Sequence, residues 1–425
     1  MNIRDRIKLD SKNYSLYNIR VDKYRNSGND IPFRVSPKPF KLTAKQTREL
    51  NEIGHLVCAY MDAVIELYNN NEDVRKILDK GKPDIYLKGQ MPRYLFLRPD
   101  LMLTNNGFSI CEIETSPFGL ALAEILNRAY GNKNFNTIVD ENKLKSYISS
   151  EVSQDGIIAY SDKTKAFGGQ MQYLADQIFS DGKKKWISKI VDGEDIASKE
   201  IYRAFYLSEY LNDKNIARIL QIDNMHTPTL TPQVEEKAVL SFIWDKRFVE
   251  FFRGRVGQAD FEHLRTIIPP TWILGGEGNF DLGMPNGASN SLDIADLEKS
   301  KRKYVLKQSG FSSGSSWAEG VSFLHKLSKK SVREKLEAAI KDDTHLYVLQ
   351  EFREGKHQMM EYVEANDEIS KIKAKIRITP YYSFSGKHKG ELIAAKVTGC
   401  ENTEYIHAST ESINTAVEKE GGFER

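Results

Sequence analysis

The sequence predicts a mixed α/β protein. Between about residues 155 and 222, short apolar strands alternate with helical segments, which is typical of a small parallel α/β unit. Two strands joined by a short turn, within residues 94–114, indicate an antiparallel pair. A chain of 425 residues is long enough for two or three domains.

Charge and cysteine usage exclude several classes of partner. The formal net charge is +2, from 61 basic and 59 acidic residues, so no global field attracts nucleic acid or a membrane surface. Cys58, Cys111 and Cys400 lie too far apart for a disulfide framework or a metal motif, so we expect a reducing cytoplasm. The first ten residues lack the apolar core of a signal peptide, and no run reaches the length of a membrane span. A homodimer is the candidate assembly.

The clearest helix signal follows a polar, turn-rich stretch of about forty residues. Thr43 and Gln46 have the spacing of a capping box. Apolar residues then recur at helical spacing, at Leu50, Ile53, Val57, Tyr60, Val64 and Tyr68. A second helix is predicted after Pro117, over residues 120–130.

In the alternating region we predict strands at 156–160, 186–191 and 217–222, and helices at 170–179 and 197–211. Residues 235–265 have a helical pattern. Two prolines, Pro269 and Pro270, end that pattern, and the Gly-rich segment 275–287 is typical of a linker.

The first candidate site is a lysine at the edge of a loop rich in Gly and Ser. The strand YVLK ends in Lys307, and QSGFSSGSSWAEGV follows it. Backbone N–H groups in such loops approach phosphate oxygens closely, and a lysine adds a point charge. The chain has no GxxxxGK[ST] segment, so this is not a Walker A motif. A surface hairpin with a solvated lysine is the alternative.

A second candidate lies about forty residues later, where the apolar strand LYVLQEF ends in Gln350, Glu351 and Phe352. The edge of such a strand can offer backbone groups to a nucleotide base, although most strands end in polar residues. The position after Lys307 is what makes this segment a candidate.

A third candidate is a row of cations in KIKAKIRITPYY. Lys373, Lys375 and Arg377 alternate with apolar residues, so all three lie on one face of a strand. Such a face is usually solvated, but it also suits the charge of a triphosphate. Arg377 is the closest of the three to the Thr-Pro bend and is our candidate for that role.

The fourth candidate is an acidic hairpin. A three-residue loop at 105–107 would pair Thr104 with Phe108 and, counting outward, Asp100 with Glu112. Glu114 would lie diagonally beside them, on a face that also carries Phe108 and Ile110. Carboxylates directly opposite destabilise a sheet, and a divalent cation with oxygen ligands would reverse that cost. A solvated acidic edge, or one relieved by Arg98, is the alternative.

These segments, in this order, resemble the circularly permuted ATP-grasp proteins, the group that includes the glutathionylspermidine synthetase-like ligases. RPDLMLTNNGFSICEIETSP is similar to the family's metal segment, which implies Asp100 and Glu112 as metal ligands. Glu114 stands where the family usually has Asn, so its role as a third ligand stays open. IRITPYY is similar to the segment that brings an arginine to the phosphates, and IPPTWIL to the one that precedes the ATP-binding half.

The resemblance also implies the nucleotide contacts. YVLKQSGFSSGSSWAEGV is similar to the family's phosphate-binding lysine and flexible loop, and LYVLQEF to its adenine-side strand. The implied nucleotide-binding residues are Lys307, Ser309, Gly310, Ser312, Ser313, Gly314, Gln350, Glu351 and Phe352.

The implied fold is ATP-grasp-like with a permuted order: an N-terminal region with the acidic hairpin (1–145), a small parallel α/β unit (146–275) and an antiparallel nucleotide-binding part (276–425). The implied chemistry joins a small-molecule or peptide carboxylate to an amine, with ATP and Mg²⁺ as cofactors and Arg377 and Arg98 as catalytic residues. An ATP-dependent kinase and a non-catalytic nucleotide-binding scaffold are the alternatives. We expect no nucleic acid and no membrane partner.

Overall fold

The structure is a computed structural model that describes residues 3, 5, 7, 13, 14, 33–87, 93–140, 142–191, 199–221, 226–233, 235–274, 290–312, 314, 320–364, 366–401, 403–406 and 412–420. The strands in chain order are β1 Arg34–Val35, β2 Phe40–Leu42, β3 Phe96–Thr104, β4 Gly107–Glu114, β5 Asp155–Tyr160, β6 Lys185–Ile190, β7 Glu200–Ala204, β8 His226–Thr227, β9 Thr271–Leu274, β10 Tyr304–Ser309, β11 Val321–Phe323, β12 Leu346–Glu351, β13 His357–Val363, β14 Ile369–Ser383, β15 Leu392–Glu401, β16 Ile413–Thr415 and β17 Val417–Lys419.

The α-helices are α1 Ala44–Asn70, α2 Glu72–Asp79, α3 Asp84–Leu87, α4 Leu120–Gly131, α5 Lys143–Glu151, α6 Gly168–Tyr173, α7 Lys214–Gln221, α8 Val249–Val256, α9 Gln258–Ile267 and α10 Lys329–Lys341. Short 3₁₀ segments lie between them, including Leu207–Leu211 and Lys237–Trp244, and a π-helical turn, Leu174–Phe179, extends α6. Within the described residues, no helix has both the length and the apolar composition needed to cross a bilayer.

The described part of the chain contains four sheets. The largest has seven strands in the order β1-β16-β15-β14-β3-β4, with β13 also paired to β14. The order β11-β10-β12-β9 makes an antiparallel sheet that packs on α10, and β6-β5-β7-β8 makes a parallel sheet. A mixed α/β fold with a small parallel unit and an antiparallel part is therefore confirmed.

Helix α1 begins where its sequence predicts. The Thr43 side chain accepts a hydrogen bond from the Gln46 backbone amide, and the Gln46 side-chain oxygen accepts one from the Thr43 backbone amide, so the capping box is confirmed. The apolar stripe of the helix is buried in the largest core cluster. Each of these Leu and Ile side chains stabilises the fold by roughly 1.5–3 kcal/mol through burial.

Two secondary-structure predictions for the parallel unit are wrong. Residues 197–211 were predicted to be helical, but 200–204 form strand β7, and the predicted strand at 217–222 lies largely in helix α7. Every residue of β7 is buried, so the strand lacks the period-two pattern of a half-exposed strand. Helix α7 is capped by the Asp213 carboxylate, which accepts from the Asn215 and Ile216 backbone amides, a signal that the apolar run obscured.

The acidic hairpin also differs from its predicted register. Thr104 pairs with Gly107, so the loop has two residues instead of three. An extra residue, Cys111, then bulges out of β4 between the pairs Leu101–Ile110 and Asp100–Glu112. The predicted pairing of Asp100 with Glu112 is confirmed, although the pairs nearer the loop were predicted wrongly.

The bulge also separates two sets of side chains that were predicted to share a face. Ile110 and Phe108 enter the largest core cluster together with Leu101. The two glutamates of β4 lie on the other face, beside Asp100. A single extra residue reverses the face of every residue beyond it, since side chains alternate along a strand.

Gly107 has a φ of 114°, a conformation that side chains disfavour, and a Cβ there would lie 2.6 Å from the Glu49 carboxylate. We therefore expect Gly107→Ala to lower the free energy of unfolding by about 1–2 kcal/mol, measured by urea denaturation. The control is Gly254→Ala in α8, where a Cβ would meet nothing within 4 Å. That change should stabilise the protein by roughly 0.5–1 kcal/mol. Equal losses in both variants would contradict this account.

Candidate functional site

One face of the seven-stranded sheet carries polar side chains in rows that run across the strands. Arg98 lies opposite Glu114, and Asp100 lies opposite Glu112, on β3 and β4. The registers of β14, β15 and β16 continue the rows with Tyr381 beside Arg98, Thr379 and Lys396 beside Asp100, and Arg377, Thr398 and Asn414 beside Met102. The face is acidic at the β3–β4 edge and cationic toward β15.

Asp100 is the centre of this face and is only 4% exposed. Its Oδ2 accepts a hydrogen bond from Arg377 Nη1 at 3.0 Å, and its Oδ1 accepts one from Thr379 Oγ1 at 3.3 Å. Arg98 Nε also lies 3.9 Å from its Oδ1. The two predicted catalytic arginines therefore both lie within ion-pair distance of Asp100, a predicted metal ligand.

Arg98 and Glu114 form a second buried pair, Arg98 Nη2 donating to Glu114 Oε2. Arg98 Nη1 donates to the Phe118 carbonyl at 2.9 Å, and Ser116 Oγ donates to the same glutamate oxygen at 2.7 Å. Burial opposes the charge of Arg98, but Glu114 and Asp100 outweigh it and raise the pKa of the guanidinium. Arg98 is therefore a permanent cation at the edge of the site.

Lys307 reaches this face from the antiparallel sheet. Its Nζ donates to the carbonyl of the bulged Cys111 at 2.8 Å and to Gln350 Oε1 at 2.7 Å. Gln350 Nε2 donates to Thr271 Oγ1 at 3.2 Å, which fixes the amide. Burial lowers the pKa of Lys307. Gln350, predicted as a nucleotide contact, accepts this hydrogen bond and holds the lysine in place.

A second lysine at the site was missed by the sequence analysis. Lys237 is 9% exposed, and its Nζ lies 3.5 Å from Glu112 Oε2. Proximity of Lys237 also lowers the pKa of Lys307, so the two ammonium groups face the same region. Lys237 begins a 3₁₀ helix, Lys237–Trp244. Because the surrounding sequence has a helical pattern, nothing in it indicated that this lysine lies at the site.

Lys396 was missed as well, although a lone lysine in the apolar strand LIAAKVTGC is a readable signal. It is 3% exposed, and its Nζ donates to Thr398 Oγ1 at 3.1 Å. Burial, and then the nearby charge of Arg377, lower its pKa to about 7. Asp100 opposes this shift. Lys396 thus adds a third basic side chain beside Asp100.

The loop after Lys307 is partly described. Ser309 and Gly310 are in contact with the Glu236 carboxylate, and Ser312 is 3% exposed. The carbonyl of Gly314 accepts from the Gly320 amide at 2.8 Å. Ser313 and residues 315–319 lie outside the described part of the chain.

The remaining candidates lie farther from the acidic hairpin. Glu351 pairs with Tyr304, whereas Lys307 pairs with Val348, three residues or about 10 Å away along β12. The Phe352 ring packs 4.6 Å from the His325 ring. In the predicted row on β14, Lys373 is exposed and Lys375 donates to Glu404 Oε2 at 2.6 Å. Only Arg377 of that row contacts the acidic residues by an ion pair recorded among the described residues.

Among the described residues, no three His, Cys, Asp or Glu side chains are grouped closely enough to hold a metal ion by themselves. The paired Asp100 and Glu112 nevertheless supply oxygen donors of the type that Mg²⁺ prefers. Mg²⁺ usually takes only one or two protein carboxylates, and its remaining ligands are water and substrate phosphate.

The fold of this chain is shared with a solved structure. The chain is similar to a glutathione synthetase-like effector from Globodera pallida in its apo form, with a TM-score of 0.50 and 12% identity over 97% of this chain and 96% of that one. At this identity the likeness shows the fold.

D-alanyl-alanine synthetase A from Vibrio cholerae O1 biovar eltor aligns with a TM-score of 0.26 and 12% identity, over 63% of this chain and 88% of that one. This likeness is too distant to support an inference. No family model and no curated protein matches the chain.

The lowered pKa of Lys396 makes a prediction about stability and pH. An unfolded lysine has a pKa of about 10.4, whereas the folded value is about 7. Between these values the unfolded chain binds a proton that the folded chain does not, so the lysine's destabilising effect appears as pH falls from 10 to 7. Lys396→Met should therefore gain stability relative to the parent by on the order of 3 kcal/mol over that interval.

Urea denaturation at pH 7 and pH 10 measures this difference. Lys330→Met, a change at an 87%-exposed side chain of α10, is the control and should follow the parent at both pH values. Parallel pH profiles of Lys396→Met and the parent would show that the buried lysine does not lose its proton on folding.

Proposed function

We propose that the protein is an ATP- and Mg²⁺-dependent carboxylate–amine ligase that works through an acyl phosphate and releases ADP and phosphate. The observation that carries the proposal is the meeting of Asp100 and Glu112 with Lys307, Lys237 and Arg377 at one face of the central sheet. Sequence segments far apart in the chain supply these groups. Such an arrangement neutralises phosphate charge without needing a covalent nucleophile.

The acidic end of the face would hold magnesium. Asp100 and Glu112 are its proposed ligands, and Glu114, one row away, is a third candidate that Arg98 now neutralises. Bound Mg²⁺ would neutralise charge on the transferring phosphoryl group.

The cationic groups would bind the triphosphate. Lys307 and Lys237 are directed at the same region from two elements, and the Gly- and Ser-rich loop follows Lys307. Glu351 and Phe352, at the far end of β12, lie in the direction in which the base would extend. The proposed nucleotide therefore lies between the antiparallel sheet and the acidic hairpin.

The chemistry needs two steps. An oxygen of the substrate carboxylate attacks the γ-phosphorus, the bond to the β-phosphate oxygen breaks, and ADP leaves. The amine nitrogen then attacks the acyl carbon, the carbon–oxygen bond to phosphate breaks, and the nitrogen loses a proton. Arg98 and Arg377 flank Asp100, where they would stabilise the oxygens of the acyl phosphate.

The order of the segments supports a permuted ATP-grasp arrangement. The acidic hairpin precedes Lys307 in sequence, yet β3 and β4 lie in one sheet with β14 and β15 near the C-terminus. Circular permutation, and domain boundaries at residues 145 and 275, are parts of this proposal. The substrates would be small molecules or peptides.

The reaction class is tested by product analysis. ADP and phosphate should form only when ATP, Mg²⁺, an acid and an amine are all present, with pools of amino acids, short peptides and polyamines as substrates. Release of AMP and pyrophosphate would exclude an acyl phosphate. A phosphorylated product that forms without amine would identify a kinase, and ATP binding without turnover would identify a scaffold protein.

The metal site is tested by Asp100→Asn and Glu112→Gln. Both changes keep the side-chain shape and remove a repulsive charge from the pair, so the fold should survive. Turnover should fall by roughly a hundredfold or more, because a phosphoryl transfer depends on the charge of the metal site. Glu418→Gln, in β17 outside the site, is the control. Undiminished Mg²⁺-dependent turnover in both site variants would rule out the assignment.

A further inference from the structure

Residues 235–237 form a short segment whose charged side chains reach separate parts of the chain. Glu235 Oε1 accepts from Arg203 Nη2 of β7 at 2.8 Å, and its φ of 59° is unusual for a residue with a side chain. Lys237 reaches β4, as described above. Glu236, between them, is 2% exposed. Contacts with separate parts of the chain therefore fix the position of this segment.

Glu236 forms a buried ion pair beneath the loop that follows Lys307. Its Oε1 accepts from Lys82 Nζ at 2.7 Å, and the side chains are 1% and 2% exposed, respectively. Its Oε2 accepts from Ser309 Oγ at 2.6 Å, and that hydroxyl accepts from the Ala238 amide at 3.0 Å. The start of the loop is therefore in direct contact with this carboxylate.

Gly310 is the point of closest approach. Its φ is 55°, and a Cβ at this position would lie 1.4 Å from Glu236 Oε1. Only a residue without a side chain lets the backbone pass this close to the carboxylate. The conformation of the loop at Gly310 therefore fits the position of the Glu236 carboxylate.

A bare carboxylate in this place would repel the phosphates that the loop is proposed to bind. Lys82 neutralises that charge and leaves the carboxylate oxygens in place as hydrogen-bond acceptors. A buried ion pair on average adds little stability compared with an apolar pair of the same volume. Its specific contribution here is geometric, because the two oxygens of one carboxylate bind two different elements.

We propose that Glu236 is a positioning residue for the phosphate-binding loop, and that Lys82 makes its carboxylate compatible with bound phosphate. The inference rests on the proposed ATP-binding function. The two residues touch no reacting atom and act through Ser309 and Gly310.

Charge-changing variants test the inference through the Kd of Mg·ATP, measured by calorimetry on the full chain. Lys82→Met leaves the carboxylate buried and unpaired, so the Kd should rise roughly tenfold or more. Glu236→Gln keeps an acceptor for Ser309 and removes the negative charge, so the Kd should stay within about threefold of the parent. The double variant Lys82→Met/Glu236→Gln should recover to within about threefold of the parent.

The matched control is Lys76→Met in α2. Lys76 pairs with Glu72 at 3.1 Å, and its side chain is 64% exposed, so the same substitution removes a charge far from any buried carboxylate. Its Kd should equal that of the parent. Thermal unfolding of each variant, recorded without nucleotide, separates loss of folding from loss of affinity.

If Lys82→Met is less stable but binds Mg·ATP like the parent, the ion pair is only structural and the inference is overturned. If Lys82→Met does not fold, the folded double variant decides, since a Kd more than about threefold above the parent would contradict charge neutralisation. If the parent itself does not bind Mg·ATP, the proposed function fails and the inference fails with it.

Discussion

The bulge at Cys111 is the feature on which the geometry of the site depends. The two-residue loop alone would pair Asp100 with Cys111 and turn both glutamates of β4 away from β3's aspartate. The extra residue restores the Asp100–Glu112 pair and leaves the Cys111 carbonyl to accept from Lys307. One irregularity thereby builds the acidic pair and also connects it to the antiparallel sheet.

Electrostatic balance explains how so many charged groups remain buried together. Asp100 bonds Arg377, Glu114 bonds Arg98, and Lys237 lies near Glu112. Burial, and then the nearby charge of Arg377, lower the pKa of Lys396. The cationic side of the face therefore suits an incoming anion, and the acidic side suits an incoming cation, as the proposed ligase chemistry requires.

The same principle extends to the loop after Lys307. Its first residues lie on Glu236, whose charge Lys82 compensates. A loop that must receive phosphate is thus supported by a carboxylate, which is tolerable only because the neutralising lysine is buried with it. Lys82, the residue that neutralises Glu236, lies three residues after the end of α2.

Much of this could be predicted from local sequence. Helix α1 was predicted from its capping box and apolar stripe, and the strands of the hairpin from alternation around a Gly-containing turn. Lys307 and Arg377 were identified because a charged residue at a strand end or in an alternating row has a definite direction. Strand β7 and helix α7 were predicted wrongly, because β7 is buried on both faces and shows no alternation, and because α7 has only eight residues.

The sequence by itself determined the fold class and the order of the chemical segments, since these follow from short-range periodicity and turn chemistry. Only the tertiary structure decided that Cys111 bulges, that Lys237 and Lys396 join the site and that Glu236 supports the loop. These features arise where segments distant in the chain meet. Their energies depend on burial and on neighbouring charge, which no local pattern encodes.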